Sequence, residues 1–176
     1  MPRLAVVVLV VLGCLSFPAR AGADGDARPA PPTGQWTTGR WTAPLPGALV
    51  VTRGFDEPAP YGPGHRGVDL AGAPGELVLA AGDGVVVFAG PVAGRPVVSI
   101  EHDGGLRTTY EPVDPAVGAG QAVARGQPIG LLQAGHDGCP AAACLHWGLR
   151  RGPAAGGYLD PLVLLRPPRI ALLSAS

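Results

Sequence analysis

"VVSIEHDGGLRTTY", residues 97–110, is the stretch whose reading decides the fold. Two short runs with β-branched residues flank Asp103-Gly104, and Asp-Gly between such runs is a strong signal for a two-residue hairpin turn. Comparable runs recur along the chain: ALVVTR (48–53), ELVLAA (76–81), GVVVFAG (84–90), PVVSIEH (96–102), GLRTTYEP (105–112), QPIGLLQ (127–133) and CLHWGLR (144–150). Gly, Asp or Pro separates them, and no segment sustains a helical apolar period. The expected fold class is all-β, an antiparallel β-sandwich. The tail GYLDPLVLLRPP (157–168) is expected to hold one short turn that closes the core.

Composition agrees with this reading. The 176 residues include 28 Gly and 21 Pro, a level approaching that of low-complexity chains, but here they punctuate apolar runs. All 13 cationic residues are Arg, balanced by 13 acidic ones. A net charge of zero gives no electrostatic case for nucleic acid or an anionic membrane. AAGDGVVVFAG (80–90) and VARGQPIGLL (123–132) also resemble a biotinyl or lipoyl carrier. Such carriers attach their cofactor to Lys, and this chain has none.

The N-terminus reads as a targeting segment. Residues 4–17, LAVVVLVVLGCLSF, follow Arg3 and form an apolar run too short for an ordinary membrane span. Ala19-Arg20-Ala21 offers a cleavage site, so residues 1–21 are read as a signal peptide. Val11-Leu12-Gly13-Cys14 resembles a lipidation box, in which Cys14 becomes an acylated N-terminus. Both routes lead to export, to the medium or the cell envelope. Residues 22–46 are polar, rich in Pro and Gly, and read as linker, with Trp41 and Pro44 at the entry to the fold.

The chemistry concentrates in GHRGVDLAG, residues 64–72. Pro63-Gly64 before it and Ala73-Pro74-Gly75 after it argue against a helix. In a straight strand His65 and Asp69 would lie roughly 13 Å apart, so a bend at Gly67 is expected to bring them together. His146, in the strand-like CLHWGLR, would complete a set of two imidazoles and one carboxylate. With water in the fourth position that is an open, catalytic type of zinc site. By spacing alone, a turn histidine and an unrelated core histidine are the commoner case.

Several ordered motifs across residues 47–165 resemble the lysostaphin- and LytM-type zinc peptidases. His65-Arg66-Gly67-Val68-Asp69 matches their His-x-Gly-x-Asp. The stretch 74–86 matches the pattern that follows it, and Gly120–Gly130 matches a late Gly-x-x-Val-x-x-Gly-Gln-x-Ile-Gly element. The resemblance implies that His65, Asp69 and His146 hold one Zn2+, and that the substrate is the peptide part of bacterial peptidoglycan. It makes residues 47–165 the peptidase-like domain and 166–176 a tail.

Two family positions differ. Cys144-Leu145-His146 stands where the family has His-x-His, and Tyr110-Glu111-Pro112-Val113 where it has Tyr-x-His-Leu. The absent histidines are those implied to orient the water and the oxyanion, a role worth about 100- to 1,000-fold in rate per donor. Glu111 and His136 are the candidates to compensate: Glu111 by adjacency, although strand alternation points it away, and His136 by folding its loop over the site. His102 reads as structural. Cys139 and Cys144 read as a disulfide pinching a short loop, with Cys144 as a zinc ligand the alternative. Two functions follow: a zinc endopeptidase of the cell wall, or an impaired module that binds peptidoglycan or regulates a partner hydrolase.

Overall fold

The computed structural model describes residues 37–56, 63–152 and 157–166. The signal peptide, Cys14, most of the linker reading and nearly all of the 166–176 tail lie outside the described residues. In chain order the strands are β1 (Thr37–Thr38), β2 (Trp41–Thr42), β3 (Val51–Arg53), β4 (Gly67–Gly72), β5 (Leu77–Leu79) and β6 (Gly84–Val92). They continue with β7 (Arg95–His102), β8 (Leu106–Glu111), β9 (Val113–Pro115), β10 (Ala122–Val123), β11 (Pro128–Leu132), β12 (Ala143–Arg151) and β13 (Tyr158–Leu159). The large sheet has the order β10-β6-β7-β8-β12-β4-β3, with β13 also paired to β12, and the small sheet has the order β5-β11-β9. All these pairs are antiparallel. The all-β expectation holds.

Period-two alternation explains why the large sheet has one dry and one chemical face. Val68 and Leu70 of β4, Leu145, Trp147 and Leu149 of β12, Tyr110 of β8, and Val98 and Ile100 of β7 are fully or almost fully buried. The small sheet closes over them with Val78, Val113, Ile129 and Leu132, all in the same apolar cluster. Asp69, His146 and Glu111 occupy the intervening positions and therefore face the other way. The tail forms the expected single turn, Pro161–Leu165, capped by Asp160, whose carboxylate accepts from the Leu162 N–H at 3.0 Å. Leu164 carries that turn into the core.

Two expectations need correction. The hairpin in the opening stretch pairs His102 with Leu106, so its loop is Asp103-Gly104-Gly105 and not two residues. Gly104 and Gly105 have φ of 82° and 70°, a left-handed pair that favours glycine at both positions. The linker reading of 22–46 also runs too far. Trp41, Ala43 and Leu45 are buried core residues, and this segment hydrogen-bonds along the β5 region through Thr42 N–H to Ala81 O and Leu79 N–H to Pro44 O, each 2.8 Å. The Pro/Gly-rich composition concealed a segment whose alternate residues are apolar.

His102 is structural, as its position before the turn suggested. It meets Trp41 edge-on, and its Nδ1 lies 2.8 Å from Asp83 O and its Nε2 2.7 Å from Thr108 Oγ1. Burial pushes its pKa down. The Asp83 carbonyl and the Glu101 and Asp83 charges work against that, and the Arg40 charge adds to it. A histidine depressed in the fold takes up its proton more readily when unfolded. Its stabilising contribution is therefore complete above the ordinary value near 6.5 and is lost as pH falls below it. Denaturant midpoints are expected to fall on acidification below pH ~6.5, and His102→Gln to flatten that slope.

Candidate metal centre

The pairing of β12 with β4 sets His146 directly opposite Asp69. His65 lies just before β4 and is fixed by a two-way backbone pair with Asp56. The chain bends at Arg66 and not at Gly67, which already belongs to β4. That bend turns the His65 ring back over Asp69.

Gly67 has a different task from the one its spacing suggested. It pairs with Gly148, and a Cβ at Gly67 would lie 2.5 Å from Trp147 O and 2.8 Å from His146 Nε2. Only glycine leaves room there for the Trp147 carbonyl and the His146 ring.

Three donor atoms converge. His65 Nε2, Asp69 Oδ1 and His146 Nδ1 form a triangle with sides of 3.0, 2.9 and 3.1 Å. A tetrahedral zinc with bonds of 2.0–2.1 Å needs donors about 3.3 Å apart, so the set fits with little movement. His65 Nδ1 donates to the Gly54 carbonyl at 2.6 Å, which leaves Nε2 as the lone-pair atom turned to the centre. Burial would raise the Asp69 pKa, but the hydrogen bond with His146 and the charges of His136, His65 and His146 outweigh it. The carboxyl is held below its ordinary range, as a ligand requires.

His136 does fold over this centre. Its Nε2 is 3.3 Å from Asp69 Oδ1, its ring stacks on His146 at 6.0 Å, and its side chain is only 12% exposed. It stands outside the compact triangle of donors. Glu111 also faces the site, contrary to the alternation expectation. β8 pairs Glu111 with His146, and the chain turns at Pro112, so alternation does not extend to that residue. Its carboxylate, however, is taken by Arg95 Nε at 2.7 Å. Cys144 is bonded to Cys139, which removes it as a thiolate ligand.

The centre lies in a groove of about 700 Å³ across the outer face of β12, β8 and β7. Arg95, Arg107, Arg150, Thr109 and Tyr158 line it beyond the histidines. They come from separate strands with no shared motif, and the sequence reading missed them.

Peptidase family M23 matches residues 63–161, more than half of the chain. The chain belongs to this family. It is 59% identical over 131 residues to an uncharacterized protein of Mycobacterium tuberculosis, covering 73% of this chain and 53% of that one. The chain thus spans about half the length of the curated relatives it matches. Among solved structures it is similar to the antimicrobial peptidase lysostaphin from Staphylococcus simulans (25% identity, TM-score 0.61, 73% of this chain and 55% of that one). It is also similar to a zinc containing peptidase from Vibrio cholerae (30% identity, TM-score 0.55, 70% and 41%).

Two outcomes are expected for this M23 site. Elemental analysis should find close to one zinc per chain, with His146→Ala losing it. Gly67→Ala, by forcing β4 away from β12, should cost about 1–3 kcal/mol in chemical denaturation and weaken zinc retention.

Proposed function

We propose that this chain is an exported zinc endopeptidase acting on the peptides of bacterial peptidoglycan. One observation carries the reading: three donors at zinc spacing, with the His65 tautomer set by Gly54, meet at a groove of about 700 Å³. Family membership and the likeness to lysostaphin support a peptidase-like module related to peptidoglycan. The leader read at residues 1–21 supports export.

His65, Asp69 and His146 would hold the zinc. When bound, zinc makes hydroxide available near neutral pH and polarises a scissile carbonyl. The protein's own part is to manage protons and exclude water. His136 Nδ1 donates to the Asp137 carbonyl at 3.0 Å, leaving Nε2 turned to the centre. There Nε2 takes the proton of the attacking water and passes it to the departing amine. Glu111 is a weaker candidate for that step, because Arg95 occupies its carboxylate. The Arg95–Glu111 pair instead holds the groove wall between β7 and β8.

A second reading has its own observation. Pro112 and the disulfide-bonded Cys144 cannot donate the hydrogen bonds of the two family histidines. The chain is also similar to a chain of the SpoIIIAH–SpoIIQ complex (25% identity, TM-score 0.56, 69% of this chain and 96% of that one). An impaired module that binds peptidoglycan, or a partner such as a cell-wall hydrolase, would keep the fold and the groove.

Zinc-loaded protein incubated with peptidoglycan sacculi decides between them. Endopeptidase action predicts chelator-sensitive release of fragments, lowered about 100- to 1,000-fold by His136→Ala with zinc content unchanged. Sedimentation with sacculi and no fragment release would assign the second reading.

A further inference from the structure

We propose that the Cys139–Cys144 disulfide is a positioning element for His136, so that the cysteine on β12 and the histidine in the loop act as one unit. Cys144 and His146 are two residues apart on β12 and share its outer face. A side chain at Cys144 therefore stands beside the donor triangle. Instead of reaching the centre itself, Cys144 is bonded to Cys139, whose N–H donates to the His136 carbonyl at 3.2 Å. His136-Asp137-Gly138-Cys139 is thus one closed turn, with Gly138 at a φ of 75°. The disulfide anchors one end of that turn to the ligand strand. The imidazole projects from the other end to within 3.3 Å of Asp69 Oδ1.

The loop needs such an anchor. It joins β11, which ends at Leu132, to β12, which begins at Ala143. It contains two glycines with positive φ, Gly135 at 102° and Gly138 at 75°, and a Pro-Ala-Ala stretch at 140–142 with little side chain to pack. Holding an imidazole against one carboxylate from such a loop costs backbone entropy at every residue fixed. Closing the loop covalently reduces the freedom that must be lost. The pinned ring then lies near parallel to His146, 25° between planes, and mostly shielded from solvent.

The chemical meaning of this placement rests on the role proposed above for His136, but the placement does not, so the two are tested apart. The first experiment uses the full-length, metal-free protein and reads only geometry. Nuclear Overhauser contacts between the His136 and His146 ring protons are expected in the oxidised protein. They should be lost after reduction with a phosphine and in Cys139→Ser/Cys144→Ser, while the amide spectrum of the sheets is retained. Ring contacts that persist in the reduced protein would overturn the proposal. Reduction of the unaltered chain keeps the test open if the double variant does not fold.

The second experiment is a double-mutant cycle on peptide hydrolysis by the zinc-loaded protein, with zinc content measured throughout. His136→Ala should lower kcat about 100-fold or more with the disulfide present, and less than about 3-fold in the serine background. Equal losses in both backgrounds would mean that the disulfide acts on stability alone, and would overturn it. A protein with no hydrolysis would remove the proposed function and leave the ring-contact result to decide the positioning.

Discussion

The register of β12 against β4 is the constraint on which the rest depends. His146 faces Asp69 because Cys144 pairs with Ala71 and Gly148 with Gly67 along the same ladder. Side chains alternate with a period of two, so a slip of one residue would turn His146 into the core and Trp147 into the groove. The apolar cluster forbids that exchange. Among the described residues Trp147 is the largest fully buried side chain, and Leu145 and Leu149 flank it on the same face. The hydrophobic core therefore does more than hold the domain together: its register selects which residues reach the candidate metal centre.

The centre gathers three imidazoles around one nearly buried carboxylate. Asp69 is within 3.3 Å of His65, His136 and His146. Burial alone would favour a neutral acid, and the surrounding histidines reverse that preference. Each ring is held from outside the cluster, His65 by the Gly54 carbonyl, His136 by Asp137 and the disulfide-closed turn, and His146 by its strand. Fixing a ring from its far nitrogen determines which nitrogen is left for the centre. His65, Asp69 and His146 bring three donor atoms together that could hold a metal ion, and His136 stands beside them.

Much of this was legible without coordinates. Short β-branched runs separated by Gly, Asp and Pro read as strands because turn chemistry is local. The three side chains that converge, His65, Asp69 and His146, were the ones that the resemblance in His-x-Gly-x-Asp and the late histidine pointed to. The entry segment read only in part: Trp41 was placed at the entry to the fold, but Ala43 and Leu45 were assigned to linker because their Pro/Gly-rich surroundings outweigh a few apolar residues. The orientation of Glu111 did not read either, because alternation was extended through Pro112, where the strand has already ended.

By itself the sequence determined the fold class, because turn chemistry and strand alternation are local, and it pointed to His65, Asp69 and His146 through a family resemblance and to a Cys139–Cys144 bond as the favoured use of a lone cysteine pair. The tertiary structure alone decided which remote groups meet those donors. That His136 lies over Asp69, that Arg95 occupies Glu111, and that Gly54 sets the His65 tautomer depend on contacts between residues on different elements. No local pattern encodes them. They follow from how strand register and one covalent loop closure place separate faces side by side.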